Sequence, residues 1–146
     1  MHTCHQVMRI KLEVPISELI DKITIAQIRR FKTKDYTDKS RTGGYNSLTT
    51  WLSELTCVYE KLSTARTEKV KELFYELHAI NDTLWDLEDS IRLKERDEEF
   101  DELFITMARS IYKTNDRRSV IKADIDKLTN SFITEQKHYE QYNKED

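Results

Sequence analysis

Apolar and polar residues divide the chain into one alternating stretch and a series of helical stripes. Residues 7–14, Val-Met-Arg-Ile-Lys-Leu-Glu-Val, set Met8, Ile10, Leu12 and Val14 on one side and Arg9, Lys11 and Glu13 on the other. A period of two predicts a strand, and Pro15 closes it. No second strand of comparable clarity follows. The segment is therefore either a strand that pairs with another copy of the chain, which hints at a dimer, or an extended arm lying on the helices. Ser17 reads as an N-cap with Glu18 in the first turn. Behind it Ile16, Leu19, Ile20, Ile23, Gln27, Ile28 and Phe31 recur at helical spacing and predict a first helix ending near Phe31.

The stripe is lost over residues 32–46, which are polar and basic and hold both glycines of the chain. They read as a loop: a solvated connection, or an anion-binding lid using Lys32, Lys34, Lys39 and Arg41. A second helix opens at Asn46 or Ser47 and carries Leu48, Trp51, Leu52, Leu55, Val58, Tyr59 and Leu62 before Ser63-Thr64 interrupts it. The third helix, over 65–95, has the clearest pattern. Val70, Leu73, Leu77, Ile80, Leu84, Leu87 and Ile91 fill seven consecutive a and d positions of a heptad repeat, so it must pack lengthwise on another long helix. Phe100, Leu103, Phe104, Met107, Ala108 and Ile111 predict a fourth helix over 98–112, and Thr114-Asn115 punctuates it. Val120, Ile121, Ile125 and Leu128 support a fifth from Asp116 to about Lys127, and the tail over 130–146 frays. The expected fold is mainly α: a single four- or five-helix, bundle-like domain over 1–146 with one short N-terminal β-strand or extended arm.

Composition narrows the classes. Two glycines and one proline in 146 residues exclude a β-sandwich, a barrel, a Rossmann domain and a P-loop, whose turns need glycine. Twenty-four basic and 27 acidic residues give a net charge of −3, a mixed surface on which nucleic acid is not expected to bind. Cys4 and Cys57 are too few for a disulfide scaffold. No apolar run nears the roughly 18 residues of a membrane span, and the first residues do not form a signal peptide. A reducing, cytoplasmic location without membrane contact follows as the expectation.

The stretch richest in chemistry is Asn81 to Arg92. Asn81, Trp85, Glu88 and Arg92 are spaced four, three and four, one longitudinal stripe beside the apolar seam, with Asp89 adjacent. An amide, an aromatic plane, a carboxylate and a guanidinium suit a small polar ligand, the ring stacking on Trp and the anion bonding Arg. An ordinary solvated face with a Glu88–Arg92 pair would show the same spacing. Glu18, Asp21 and Lys22 form a second cluster, able to face Glu88 and Arg92 across one cleft. Thr114, Asn115, Asp116, Arg117, Arg118 and Lys122 begin the predicted fifth helix, whose free N–H groups would favour a phosphate or carboxylate; a plain N-cap explains the first three as well. Glu98, Glu99 and Glu102 match half of the Mg²⁺-binding pattern of all-α nucleotide pyrophosphohydrolases, without a second half later in the chain. His2, Cys4 and His5 are crowded at the terminus, and no metal-ligand motif occurs, so no metal site is expected.

Four segments, Ile16 to Ile25, Asn81 to Arg92, Ala108 to Arg118, and Glu135-Gln-Lys137 with Tyr139, resemble in the same order a family of small, bacterial-looking proteins catalogued as domain of unknown function 6165. Members are often encoded near glycosyltransferases, and the resemblance implies no known reaction. It falls on Glu18, Asp21, Lys22, Asn81, Trp85, Glu88, Asp89, Arg92, Thr114, Asn115, Asp116 and Arg117, and touches Lys122, Glu135, Lys137 and Tyr139. The loop at 32–46 and His2-Thr-Cys-His5 depart from it.

The expectation is a small-molecule protein. A phosphorylated or sugar-bearing ligand would lie between the first and third helices and the start of the fifth, with Glu88 or Glu18 as a base if a reaction occurs. The ligand set is Glu18, Asp21, Lys22, Asn81, Trp85, Glu88, Asp89, Arg92, Asn115, Arg117 and Lys122. The alternatives are a dimeric, non-enzymatic interaction protein and the Mg²⁺-dependent hydrolase; a cofactor is implied only by the last.

Overall fold

The computed structural model describes residues 8–33, 42–134, 140 and 142, with the backbone alone for 42–46. The protein is mainly α. Four helices follow in order: α1 (Ile16–Lys32), α2 (Thr42–Glu60), α3 (Thr64–Arg96) and α4 (Glu102–Thr129). At 1.5 Å per residue, α3 is roughly 50 Å long and α4 roughly 42 Å. The short link between them makes an antiparallel hairpin, and α1 packs against α2, α3 and α4.

Local chemistry explains the ends of α3 and α4. The Ser63 hydroxyl accepts from the Arg66 N–H at 3.4 Å and caps α3. The Asp101 carboxylate accepts from the Phe104 N–H at 3.0 Å and caps α4. Between the two, the chain reverses at Glu98 with φ 54°, and Lys94 clamps the turn by donating to Glu99 at 2.6 Å and Asp101 at 2.8 Å. Helix α4 stops at Asn130, in the left-handed region at φ 51°, a conformation that asparagine tolerates better than most residues.

The N-terminus of α1 is held differently. Its N-cap is Pro15, which has no side-chain acceptor. The free N–H groups are satisfied from the far end of the chain. Ser17 N–H donates to Asp126 Oδ1 at 2.8 Å, and Ile16 N–H to Ser131 Oγ at 3.1 Å. Ser17 is therefore not the cap. It lies inside the helix, buried, and its hydroxyl donates to Asp126 Oδ2 at 2.9 Å. Asp126, nearly dry, caps α1 from α4 with its negative charge at the positive helix end.

One cluster forms the core: Ile20 and Ile23 from α1, Leu48 and Leu55 from α2, Val70, Leu77, Ile80 and Leu84 from α3, and Ile121 and Ile125 from α4. The heptad seam of α3 is buried at Val70, Leu77, Ile80 and Leu84, half-buried at Leu73, Leu87 and Ile91, and its long partner is α4. Beyond Leu84 the hairpin outruns the core, leaving Leu93, Phe100 and Leu103 exposed with Phe100 edge-on to Phe104.

Several expectations are corrected. Residues 8–14 form no strand, and no strand occurs among the described residues. Nor does this segment lie on the helices, since Met8, Ile10 and Leu12 are 92%, 83% and 75% exposed. Phe31 and Val120, assigned to apolar stripes, are exposed, and Leu52 is partly so. Helix α2 begins at Thr42, so the end of the predicted 32–46 loop, with both glycines, is helical. Lys34, Lys39 and Arg41 of the supposed lid lie outside the described residues, and Lys32 instead pairs with Asp86 at 2.7 Å and Asp82 at 3.1 Å. The fourth and fifth predicted helices are one helix. Thr114 and Asn115 lower helix propensity by only a few tenths of a kcal/mol each, too little to outweigh continuous packing on α3. After Asn130 the described residues 131–134 are not helical.

Candidate functional site

Continuity of α4 places a charged residue in its seam. Met107, Ile111, Thr114, Arg118, Ile121, Ile125 and Leu128 follow one another at spacings of four and three, the same period as the seam of α3. Thr114 and Arg118 occupy the middle of that row, and there α1 brings a polar stripe of its own, Ser17, Asp21 and Thr24, all buried.

Asp21 is the hub. Its Oδ1 accepts from Asn81 Nδ2 at 2.8 Å and from Arg118 Nε at 3.1 Å, and its Oδ2 accepts from Arg118 Nη2. The guanidinium thus grips the carboxylate side-on, with exposures of 20% for the Arg118 side chain and 3% for that of Asp21. Asn81 spends its second amide hydrogen on Thr24 Oγ1 at 2.9 Å, and Thr24 Oγ1 donates to the Asp21 carbonyl at 2.8 Å. Lys122, 4% exposed, stands 3.8 Å from Asp21 Oδ2 and donates to Glu18 Oε2 at 2.8 Å. Lys22, at the surface, pairs with Glu18 Oε1 at 3.4 Å. Among the described residues no buried side-chain polar atom lacks a partner.

Burial pushes the Glu18 carboxyl up, but the hydrogen bond and charge of Lys122, reinforced by Lys22, outweigh it and hold the group below its ordinary value.

The network forms one wall of an open cleft of about 330 Å³, lined by Ile25, Asn81, Leu84, Trp85, Glu88, Asp89, Arg92 and Arg118. Trp85 is half-buried. Arg92 is 68% exposed, pairs with Glu88 Oε2 at 2.9 Å and donates to the Glu88 carbonyl at 3.0 Å. The cleft therefore offers an aromatic plane, two carboxylates and two guanidinium groups in a space the size of a small metabolite.

The sequence-derived site residues separate into three groups. Trp85, Glu88, Asp89 and Arg92 line the cleft, and Asn81 lies in its wall with its amide hydrogens already bonded inside the protein. Glu18, Asp21 and Lys122 stand behind the wall as a structural ion network, with Lys22 at its edge. Asn115 and Arg117 do not line the cleft: Asn115 accepts from Ser119 Oγ at 3.1 Å through its carbonyl, and Arg117 is exposed. The helix N-terminus they were to supply does not exist, because 114–118 is mid-helix. Arg118 is the charged cleft residue that the ligand set lacked. Its signal was present in the sequence, a charge seven residues from both Ile111 and Ile125, but an assumed helix break between Ile111 and Arg118 concealed it.

A family model matches residues 10–144, nearly the whole chain. The chain belongs to a family of unknown function (DUF6165). No curated protein and no solved structure matches it. Of the segments that carried the resemblance to DUF6165, the first three meet in this region through Asp21, Asn81 and Arg118, whereas Glu135, Lys137 and Tyr139 lie outside the described residues, as do His2, Cys4 and His5. The family assigns no reaction.

Glu98, Glu99 and Glu102 are exposed around the α3–α4 turn, with Glu99 bound to Lys94. Among the described residues no group of three or more His, Cys, Asp or Glu side chains could hold a metal ion, so this geometry lends the hydrolase alternative no support. Among the described residues no helix is long and apolar enough to cross a membrane.

Proposed function

We propose that this protein binds a small polar metabolite, phosphorylated or sugar-bearing, in the cleft between α1, α3 and α4. The observation that carries the reading is the convergence of Trp85, Glu88, Asp89, Arg92 and Arg118 on one open concavity. A sugar or base ring stacks on Trp85, the carboxylates accept from hydroxyl groups, and the guanidinium groups donate to anionic oxygens. A cytoplasmic setting, where such metabolites are abundant, and no nucleic-acid partner belong to the same reading.

A thermal-shift panel tests it, with nucleotides, nucleotide sugars, sugar phosphates and polyols, each with and without Mg²⁺. A ligand at a hundred times its Kd adds about 2.7 kcal/mol, several degrees for a chain of this size. A shift that Arg92→Ala diminishes supports the cleft. A flat panel on folded protein rejects it.

One observation favours a second reading, an interaction protein that is dimeric or partner-bound. Met8, Ile10 and Leu12 stand in water on one side of an extended segment, which is the edge that a strand from another chain could pair with. Sedimentation of the full chain and of a variant lacking residues 1–13 distinguishes the two. Loss of a dimer on truncation supports the interaction reading, and an unchanged monomer removes its dimeric form.

A further inference from the structure

The Asp21–Arg118 pair uses only part of the guanidinium. Nε and one Nη2 hydrogen bond Asp21, and Nη1 has no protein partner among the described residues. Since no buried side-chain polar atom there is without a partner, Nη1 reaches solvent, and Arg118 lines the cleft. An arginine held side-on by a dry carboxylate is immobilised before any ligand arrives, so its remaining N–H fork points in a set direction at little entropic cost. Arg92 is the opposite case: it is exposed and, among the described residues, tied only to Glu88, one turn before it on the same helix.

Building on the small-ligand reading, we infer that Arg118 is the specificity-determining residue of the cleft, and that the ligand is an anionic sugar whose phosphate or carboxylate oxygens accept from Nη1 and the outer hydrogen of Nη2. Asp21 takes up much of the arginine's charge, so recognition comes from donor direction. Glu88 and Asp89 are then left to the hydroxyls, an arrangement that disfavours a bare anion and favours one carried on a polyol. A charged donor withdrawn from such a bond weakens binding roughly 10- to 100-fold.

The test is calorimetric titration of the full chain with glucose 1-phosphate, glucuronate and glucose, repeated on Arg118→Lys. Lysine keeps a cation beside Asp21 and loses the fork. The wild type should bind at least one of the two anionic sugars ten times or more tighter than glucose. Both binding tightly identifies the anionic oxygens as the shared feature; one alone identifies phosphate or carboxylate as the group read. In Arg118→Lys the anionic sugars should fall to the glucose level while glucose is unchanged. Equal binding of glucose and its anionic relatives by wild type overturns the inference even if the variant does not fold, and so does an Arg118→Lys protein that still prefers the anions. No binding of any sugar by folded wild type is a different result: it removes the sugar ligand and this inference with it, and leaves the broader small-ligand reading to the thermal panel.

Discussion

Asp21 and Arg118 provide the most demanding test of the buried network, because each is the other's main compensation. Asp21→Asn keeps one oxygen for Asn81 and for Arg118 Nε but sets an amide N–H against Arg118 Nη2, which now lacks its anion. Breaking a buried pair from one side costs about 3–5 kcal/mol, and the partial exposure of Arg118 puts this change at the lower end, about 3. Arg118→Met strands the dry Asp21 carboxylate with Asn81 and a lysine 3.8 Å away, a loss of similar size. The double variant strands neither charge, so its loss should fall short of the sum by about 2 kcal/mol. Urea unfolding followed by helical circular dichroism gives the three differences, provided that the slopes stay equal. A single loss of about 3 kcal/mol should appear as a melting point lowered by roughly 10 °C. Additive singles, agreeing within about 0.5 kcal/mol, would refute the pairing on which both the cleft wall and the proposed role of Arg118 depend.

Three further outcomes follow from the same geometry. Leu77→Ala empties a fully buried seam position and should cost about 3–4 kcal/mol in urea unfolding; a near-neutral result would show that α3 is not packed as described. Arg92→Ala removes an exposed i,i+4 pair and should change stability by no more than about 0.5 kcal/mol, so a collapse of the melting transition would make Arg92 structural. Glu18 is held below its ordinary value of 4.5 when folded, so its contribution is present above that pH and is lost as the pH falls through the lower folded value. Glu18→Gln should therefore lower stability at neutral pH and flatten the acid limb of a stability–pH curve; an acid limb parallel to wild type would contradict the Lys122 pairing.

How much could be read from residues alone differs from helix to helix. The seam from Val70 to Ile91 stated both its helix and its need for a long partner, because burial of a helix face is written as a period of three and four in a single segment. Trp85, Glu88, Asp89 and Arg92 were legible for the same reason: they share one helix, and one helix fixes their relative positions. The strand at 7–14 failed because alternation states a face but not what covers it. The break at Thr114-Asn115 failed because polar residues in a seam look like a helix end when their partners are unknown.

What the sequence determined by itself is thus local: the α class, through periodicity and the scarcity of glycine and proline, and the stripe that lines one side of the cleft. Only the tertiary structure decided that Asp126 caps α1 across 109 residues and that Asp21 holds Arg118 across 97. Charge pairing between distant segments has no period, and any of 27 acids could have met any of 24 bases. The choice among them follows from helix packing, which buries these few together, where an unpaired charge would be too costly to keep.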